Sequence, residues 1–366
     1  MRGLSTDILT LFSEIGRTGS PPFRQGAFCA ILKRNIWIWQ GCMVPREPVT
    51  AESEGISMLI FLVNPNAGGE RGYRVFKKLE RRLLRTKTAY QVYVTGGPGD
   101  ARQLAARLSA EYEGESLTLV AVGGDGMLNE VLNGARLSER LRFGFIPVGR
   151  DSDFARGLKL PRTPLGCLKR ILSPREEREL DYGVAEFGGD EPSHHRFLVS
   201  CGMGFDAEWL AKLYELEQRR GRRSRLIWRG LRLLVGFRSL LRAHCTRGYF
   251  ETDSGQRVEF GHLFLLSAQL YATEAGGIRL ANKVPPTDGL LTVAVLNTHS
   301  RLQQARLLLL PRRKAPESYA GVRVYRCREF RLFLDEALPL HADGEGLGGR
   351  KELTLRCVRR RIRFLC

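Results

Sequence analysis

The chain has little acid for its base, and no apolar run long enough to cross a bilayer. Against 58 lysines and arginines stand 39 aspartates and glutamates, a formal net charge of +19 over 366 residues. Such an excess favours phosphate-bearing partners: nucleic acid, anionic lipid headgroups or nucleotides. The most apolar amino-terminal window, Gly26–Val44, is broken by Lys33-Arg34-Asn35 and is too short on either side to span. It also lacks the basic, apolar, small-residue order of a signal peptide, so the expected location is cytoplasmic. Eight cysteines contain no C-x-x-C pair, and six histidines show no zinc spacing. That argues against a disulfide framework and a metal cluster, and it reads the cysteines as reduced core residues. There is no internal repeat, no low-complexity tract and no RNA- or DNA-binding motif, so nucleic acid is not an expected partner.

What is present supports a folded protein of two domains, with 43% hydrophobic residues. Residues 1–57, with Pro21-Pro22, Pro45, Pro48 and a Thr/Ser/Glu-rich end, show no sustained period. They read as an extension outside the fold, either a disordered tail or sequence upstream of a start at Met58. From Met58 the pattern alternates strand and helix. Met58–Val63 is a buried strand, followed by a helix with Val75, Phe76, Leu79, Leu83 and Leu84 on one face. Tyr90–Val94, Leu117–Val122 and Arg142–Val148 are the next strands. Short loops between alternating strands and helices imply a parallel, doubly wound sheet over 58–175, with ligands at the carboxyl ends of its strands. From 176 to 366 shorter runs imply an antiparallel β domain. They are Glu179–Phe187, Arg196–Cys201, Gly248–Thr252, Gln256–Gln269, Gly289–Leu296, Gly321–Leu334, Lys351–Cys357 and Arg361–Cys366. A helical insertion at 206–243 interrupts it.

The chemistry centres on Leu117–Glu130, LTLVAVGGDGMLNE. A strand, a glycine turn and a helix start present backbone N–H groups to an anion. Asp125 would repel a bare phosphate, which points to a Mg²⁺ bridge or a proton-accepting role, or else to a plain N-cap. The loops at Asn64–Gly69, Thr95–Asp100 and Gly149–Arg156 lie at the same end of the sheet and converge on one crevice.

Four motifs in order resemble the diacylglycerol kinase catalytic-domain superfamily, which includes bacterial lipid kinases and the sphingosine and ceramide kinases. They are Asn64-Pro65-Asn66-Ala67-Gly68; Thr95 through Asp100; Gly123-Gly124-Asp125-Gly126-Met127-Leu128-Asn129-Glu130; and Ile146–Gly149 with Asp153-Phe154-Ala155-Arg156. Gly202–Ala207, Pro286–Leu291 and Asp343-Gly344-Glu345 match landmarks further on. The resemblance implies a Rossmann-like nucleotide domain followed by an antiparallel β-sandwich, with the active site in the cleft between them. It implies ATP-dependent phosphorylation of a lipid hydroxyl, such as that of diacylglycerol or a sphingoid base, with Mg²⁺. It gives the nucleotide to the first three motifs together with Arg150 and Asp153. It gives Mg²⁺ to Asp288, with main-chain carbonyls near Pro285 and Leu290. The base falls to Glu345, Asp343 or Asp125, with Glu345 favoured over Asp343. Asp288-Gly289 and Asp343-Gly344 are also ordinary hairpin-turn dipeptides.

The chain departs from the pattern G-T-G-N-D-F-A-R at Arg150, Asp151 and Ser152, and Met127 replaces a threonine. Gln269–Gly277 replaces an Asn-containing, triple-glycine segment. The nucleotide side is therefore the expected weak point. A non-catalytic lipid- or nucleotide-binding relative and an NAD-kinase-like enzyme remain as alternatives. The stretch Arg222–Arg242 sets Ile227, Leu231, Leu234 and Leu241 on one face and Arg222, Arg225, Arg229 and Arg232 on another. It suits either an anionic membrane surface carrying the lipid substrate or a helix packed on the sheet with a solvated basic face. A homodimer is left open.

Overall fold

Six consecutive apolar residues, Met58–Val63 (β3), can all be buried only in a strand covered on both faces. The computed structural model places them there. It describes residues 58–86, 89–149, 152–174, 176–188, 193–220, 225–273, 281, 284–309 and 321–366, with strand residues 30–31 and 37–39. β3 lies between β4 (Tyr90–Val94) and β5 (Leu117–Gly123), and β5 pairs with β6 (Leu141–Pro147), all in parallel. Alternate residues serve opposite faces. Phe61, Val63, Val120 and Val122 pack under helices α1 (Gly72–Thr86) and α5 (Pro164–Leu172) through Phe76, Leu79, Leu83 and Leu168. Ile60, Leu62, Leu119 and Ala121 pack under α2 (Asp100–Glu111) and α3 (Asp125–Gly134) through Leu104, Leu108, Leu128 and Val131. The expected alternation of strand and helix is what forms, with α4 (Asp153–Gly157) following β6.

Most of the stretch 1–57 lies outside the described residues. Within it, β1 (Ala30–Ile31) pairs antiparallel with β2 (Trp37–Trp39), and β2 pairs in parallel with β4.

Within the carboxyl-terminal half the strands pair antiparallel with one another. Its strands are β7 (Glu177–Phe187), β8 (Ser193–Phe197), β9 (Ser200–Gly204), β10 (Thr246–Thr252), β11 (Arg257–Gln269), β12 (Leu291–Asn297), β13 (Val322–Cys327), β14 (Glu329–Ala342) and β15 (Glu345–Leu365). Three runs are split or joined differently from the sequence reading. Arg196–Cys201 is split between β8 and β9, because the amides of Leu198, Val199 and Ser200 turn toward the Asp343 carboxylate. Gly321–Leu334 is split at Arg328. Lys351–Cys357 and Arg361–Cys366 are one strand, offset by a register shift between Val358 and Ile362 where Arg360 takes φ +48°. The six described cysteines are free, and all but the partly exposed Cys245 are buried.

By hydrogen bonding the strands form one network rather than two separate sheets. β15 joins the halves, pairing in parallel with β6 and antiparallel with β7 and β14. Side chains follow suit. Phe154, 1% exposed, sits edge-on to Phe145 at 6.0 Å, Tyr271 at 5.7 Å and Phe364 at 5.2 Å, so one ring touches β6, β15 and the end of β11. Helices α6 (Phe205–Arg220) and α7 (Arg225–Arg242) form a hairpin over β11 and β12, with Trp209, Leu213, Val235 and Leu240 against Phe264 and Ala294. Phe154→Ala should lower the unfolding free energy by about 3–5 kcal/mol. Because the core is shared, urea denaturation followed by fluorescence should still show one transition. Two separated transitions would contradict the shared core.

Candidate active site

The glycines of the LTLVAVGGDG run let a helix begin where the strand ends. A Cβ on Gly123 would lie 2.6 Å from Met127 Sδ and 3.1 Å from Met127 Cβ, so any larger residue would make the Met127 side chain shift where α3 folds back. Gly124 and Gly126 are open: no heavy atom lies within 4 Å of where a Cβ would stand. The helix amino terminus is therefore approachable by an anion. Met127 and Leu128 face the core at 6% and 2% exposure, so their side chains pack the helix. The first loop folds beside this terminus. Asn64 Oδ1 accepts from Asn66 N–H at 2.9 Å, Gly68 has φ +64°, and a Cβ on Gly72 would sit 1.8 Å from Asn64 O. Pro65 and Ala67 are half-buried and Asn66 is exposed. Thr95 is buried, its hydroxyl directed at Val63 O, and Asp100 Oδ2 accepts from Gly96 and Gly97 N–H at 2.7 and 3.0 Å. Those two amides of the second loop already have an acceptor within the chain.

Asp125 ties the glycine loop to the segment after β6. It accepts from Ser152 Oγ and from the N–H groups of Asp153 (2.8 Å) and Phe154 (3.4 Å). Ser152 also caps α4, accepting from Ala155 N–H at 2.9 Å, and Asp153 pairs with Arg156. The serine that departs from the family pattern thus acts as both cap and donor. Arg150 and Asp151 lie outside the described residues. Burial pushes the Asp125 carboxyl up to about 7, and the neighbouring Asp153 adds to this against the donors that favour its charge.

The other carboxylates come from the β14–β15 turn, where Asp343 and Gly344 take φ +49° and +88°. Asp343 is not free to act as a base. Its oxygens accept from Leu198 N–H (2.7 Å), Val199 N–H (2.8 Å), Ser200 N–H (3.0 Å) and Asn129 Nδ2 (2.8 Å). Asn129 also donates to Arg196 O, and Asn133, one turn on, bonds both the N–H and the carbonyl of Arg196. Helix α3 is thereby fastened to the β8–β9 segment. Asn129, expected at the nucleotide, is 1% exposed and serves this fastening.

Glu345 stands differently. Its side chain is 45% exposed, 3.7 Å from Arg102 Nη2 and 3.6 Å from His195 Nε2. Burial raises its carboxyl above the usual range, Arg102 opposes this, and Glu130 and Asp343 reinforce it. Burial and the Arg102 charge hold His195 down at about 4, so the imidazole is neutral near pH 7. Behind the turn, His341 Nδ1 accepts from Gly344 N–H at 3.2 Å and Nε2 faces Asp206 Oδ2 at 3.3 Å. The sequence reading missed Arg102, His195 and His341. No spacing marks them, since their partners are 62 to 135 positions away or lie in the turn itself. It also gave no role to the buried side chains of Gln269 and Thr292. These are paired in register, and neither the amide nor the hydroxyl has a partner. Unpaired buried groups of this kind mark a place where a water or a polar ligand group completes the bonding.

Asp288 does not fit a resident Mg²⁺. Its Oδ1 accepts from Leu290 N–H at 3.0 Å and its Oδ2 is held by the Arg326 guanidinium. The neighbouring amide of Gly289 donates to Asp181 at 2.7 Å. The Arg326 guanidinium already pairs with the carboxylate. The expected ligation by Asp288, Pro285 and Leu290 is replaced by an internal ion pair.

The Asp125 geometry makes a pH-dependent prediction. The folded chain holds a proton up to about pH 7 that the unfolded chain releases near pH 4, so the unfolding free energy falls as pH rises between them. Urea denaturation at steps across that range should show this fall in the wild type, on the order of a few kcal/mol. The Asp125→Asn chain should show less of it. Parallel curves would contradict the assignment.

Comparison with known proteins agrees with this geometry. Residues 58–185 match the diacylglycerol kinase catalytic domain, from the first residue of β3 into β7. YtlR of Bacillus subtilis, whose name places it with the lipid kinases, is 28% identical over 297 residues, covering 80% of this chain and 94% of its own length. A diacylglycerol kinase of Staphylococcus haemolyticus is 24% identical over 303 residues, covering 82% and 86%. A crystal structure of a Bacillus anthracis diacylglycerol kinase shares the fold, with TM-score 0.61 at 18% identity over 84% of this chain and 96% of its own. Among the described residues no helix is long and apolar enough to cross a membrane. With the motifs in order, residues 58–185 match the diacylglycerol kinase catalytic domain, and most of the chain is similar to proteins named lipid kinase and diacylglycerol kinase.

Proposed function

We propose that the chain is an ATP-dependent lipid kinase that transfers the γ-phosphoryl group to the hydroxyl of a lipid such as diacylglycerol or a sphingoid base. One observation carries the reading. The Asn129–Asp343 bond sets the Glu345 turn against the same helix whose amino terminus carries the open glycine loop. Asn129 is four residues from Asp125, about 6 Å of helix rise, so the phosphate cradle and the turn that carries the proton acceptor are held to one helix. Phosphoryl transfer needs positioned phosphates, charge compensation and a base for the attacking oxygen. In this reading the Gly124–Gly126 amides and the Asn64–Gly68 loop hold the phosphates. Glu345 accepts the lipid hydroxyl proton as the oxygen bonds to the γ-phosphorus. The bond to the bridging oxygen breaks and ADP leaves. Arg102 keeps Glu345 ionised for that step, and Asp343 holds the turn. Magnesium enters with the nucleotide as part of the substrate, since Asp288 is committed to Arg326.

Incubation of the full chain with γ-labelled Mg·ATP and micelles of diacylglycerol, sphingosine, ceramide or phosphatidylglycerol tests this. Labelled lipid is expected from one acceptor. Glu345→Gln should cut turnover at least about 100-fold with an unchanged melting temperature. Asp343→Asn should lower the melting temperature, because an amide donor would then face N–H donors. Nucleotide binding with no labelled lipid from any acceptor would favour the non-catalytic relative. Wild-type turnover in Glu345→Gln would remove the base.

A further inference from the structure

Helix α7 is apolar on two sides. Val235, Leu240 and, just past its end, Ala243 point inward, against Trp209 and Leu213 of α6 and Phe264 and Ala294 of the sheet. At about 100° per residue, Leu234, Phe237 and Leu241 fall on the opposite side, with Leu233 at its edge. Their exposures are 65, 56, 65 and 48%. The other large exposed hydrophobics among the described residues are scattered singly, at Tyr73, Leu84, Leu165 and Leu302. The sequence reading had placed Leu234 and Leu241 on a common apolar face, and the structure turns that face outward. Arg222, and the side chains of Arg225, Arg229 and Arg232, lie outside those described. Exposed Arg238 and Arg242 border the stripe on one flank.

A row of large apolar side chains facing water marks a surface that meets something less polar. Two features choose among occupants. The arginines lie where an interfacial helix places its cations, at the edge of the apolar face. The chain also carries a net charge of +19, which repels a second copy and attracts an anionic bilayer. We propose that α7 is an interfacial helix. Leu233, Leu234, Phe237 and Leu241 enter the acyl boundary of an anionic membrane, with Arg238 and Arg242 at the headgroups. This deepens the lipid-kinase reading and rests on it only for the reason the chain visits a bilayer.

Sedimentation of the full chain with extruded vesicles, without nucleotide, tests the surface separately from catalysis. Binding to phosphatidylcholine vesicles containing phosphatidylglycerol is expected, at least tenfold tighter than to phosphatidylcholine alone. The double variant Phe237→Glu, Leu241→Glu should lose that binding at least tenfold with an unchanged melting temperature. If the kinase reading also holds, the variant should still phosphorylate a short-chain, water-dispersed acceptor while losing vesicle-embedded acceptor. Arg238→Ala with Arg242→Ala should weaken binding to anionic vesicles more than to neutral ones. Vesicle binding unaffected by the glutamates would overturn the proposal. So would a wild-type dimer that ignores vesicles and dissociates in the double variant, because it would give the stripe to a second copy. Neither result bears on whether Glu345 supports phosphoryl transfer.

Discussion

A carboxylate enclosed in protein must be met by donors, and Asp343 is met from two directions at once. Three consecutive amides of the β8–β9 segment reach it from one side, and the Asn129 amide of α3 reaches it from the other. Much of the site's arrangement follows from that single group. The β8–β9 segment breaks from strand pairing because its amides are turned to Asp343. The turn accepts left-handed backbone at a non-glycine residue, which the surrounding bonds over-determine. Glu345, two residues on, is left half in solvent beside the helix that carries the glycine loop.

Asp125 repeats the arrangement at the amino terminus of α3, about one turn before Asn129, where its donors are Ser152 and the first amides of α4. The helix is ten residues long, held at its amino terminus by the Asp125 carboxylate and at mid-length by Asp343 through Asn129. Such pairs are specific rather than cheap, since each must offset the loss of hydration before it contributes anything. Their consequence here is positional. The anion-receiving amides and the free carboxylate cannot drift relative to each other without breaking one of these bonds. Neutral His195 and charged Arg102 complete the surroundings of Glu345 without adding a second base.

Much of this was legible before any coordinates. The parallel half could be read because apolar runs of five to seven residues, separated by glycine loops and amphipathic helices, have few other solutions. The glycine loop could be read because strand, turn and helix start are contiguous. What escaped the reading was decided by residues far apart in sequence. Nothing local separates Asp343 from Glu345, since both are carboxylates in one turn. Only the distant amides of 198–200 make the first structural. Arg326 in β13 takes Asp288 away from a metal, and no spacing announces that pair. Alternation in β15 was interrupted by Arg360, so one strand looked like two. In α7 periodicity found an apolar face, but not which way it turns.

The coupling between Asn129 and Asp343 is the most direct measure of whether one bond organises the site. A double-mutant cycle with Asn129→Ala and Asp343→Asn, read by urea denaturation of the full chain, gives it. The account predicts that the two losses are not additive and that the coupling is about 1–3 kcal/mol. Losses that add to within about 0.5 kcal/mol would contradict it, leaving α3 and the Glu345 turn as neighbours held by separate causes.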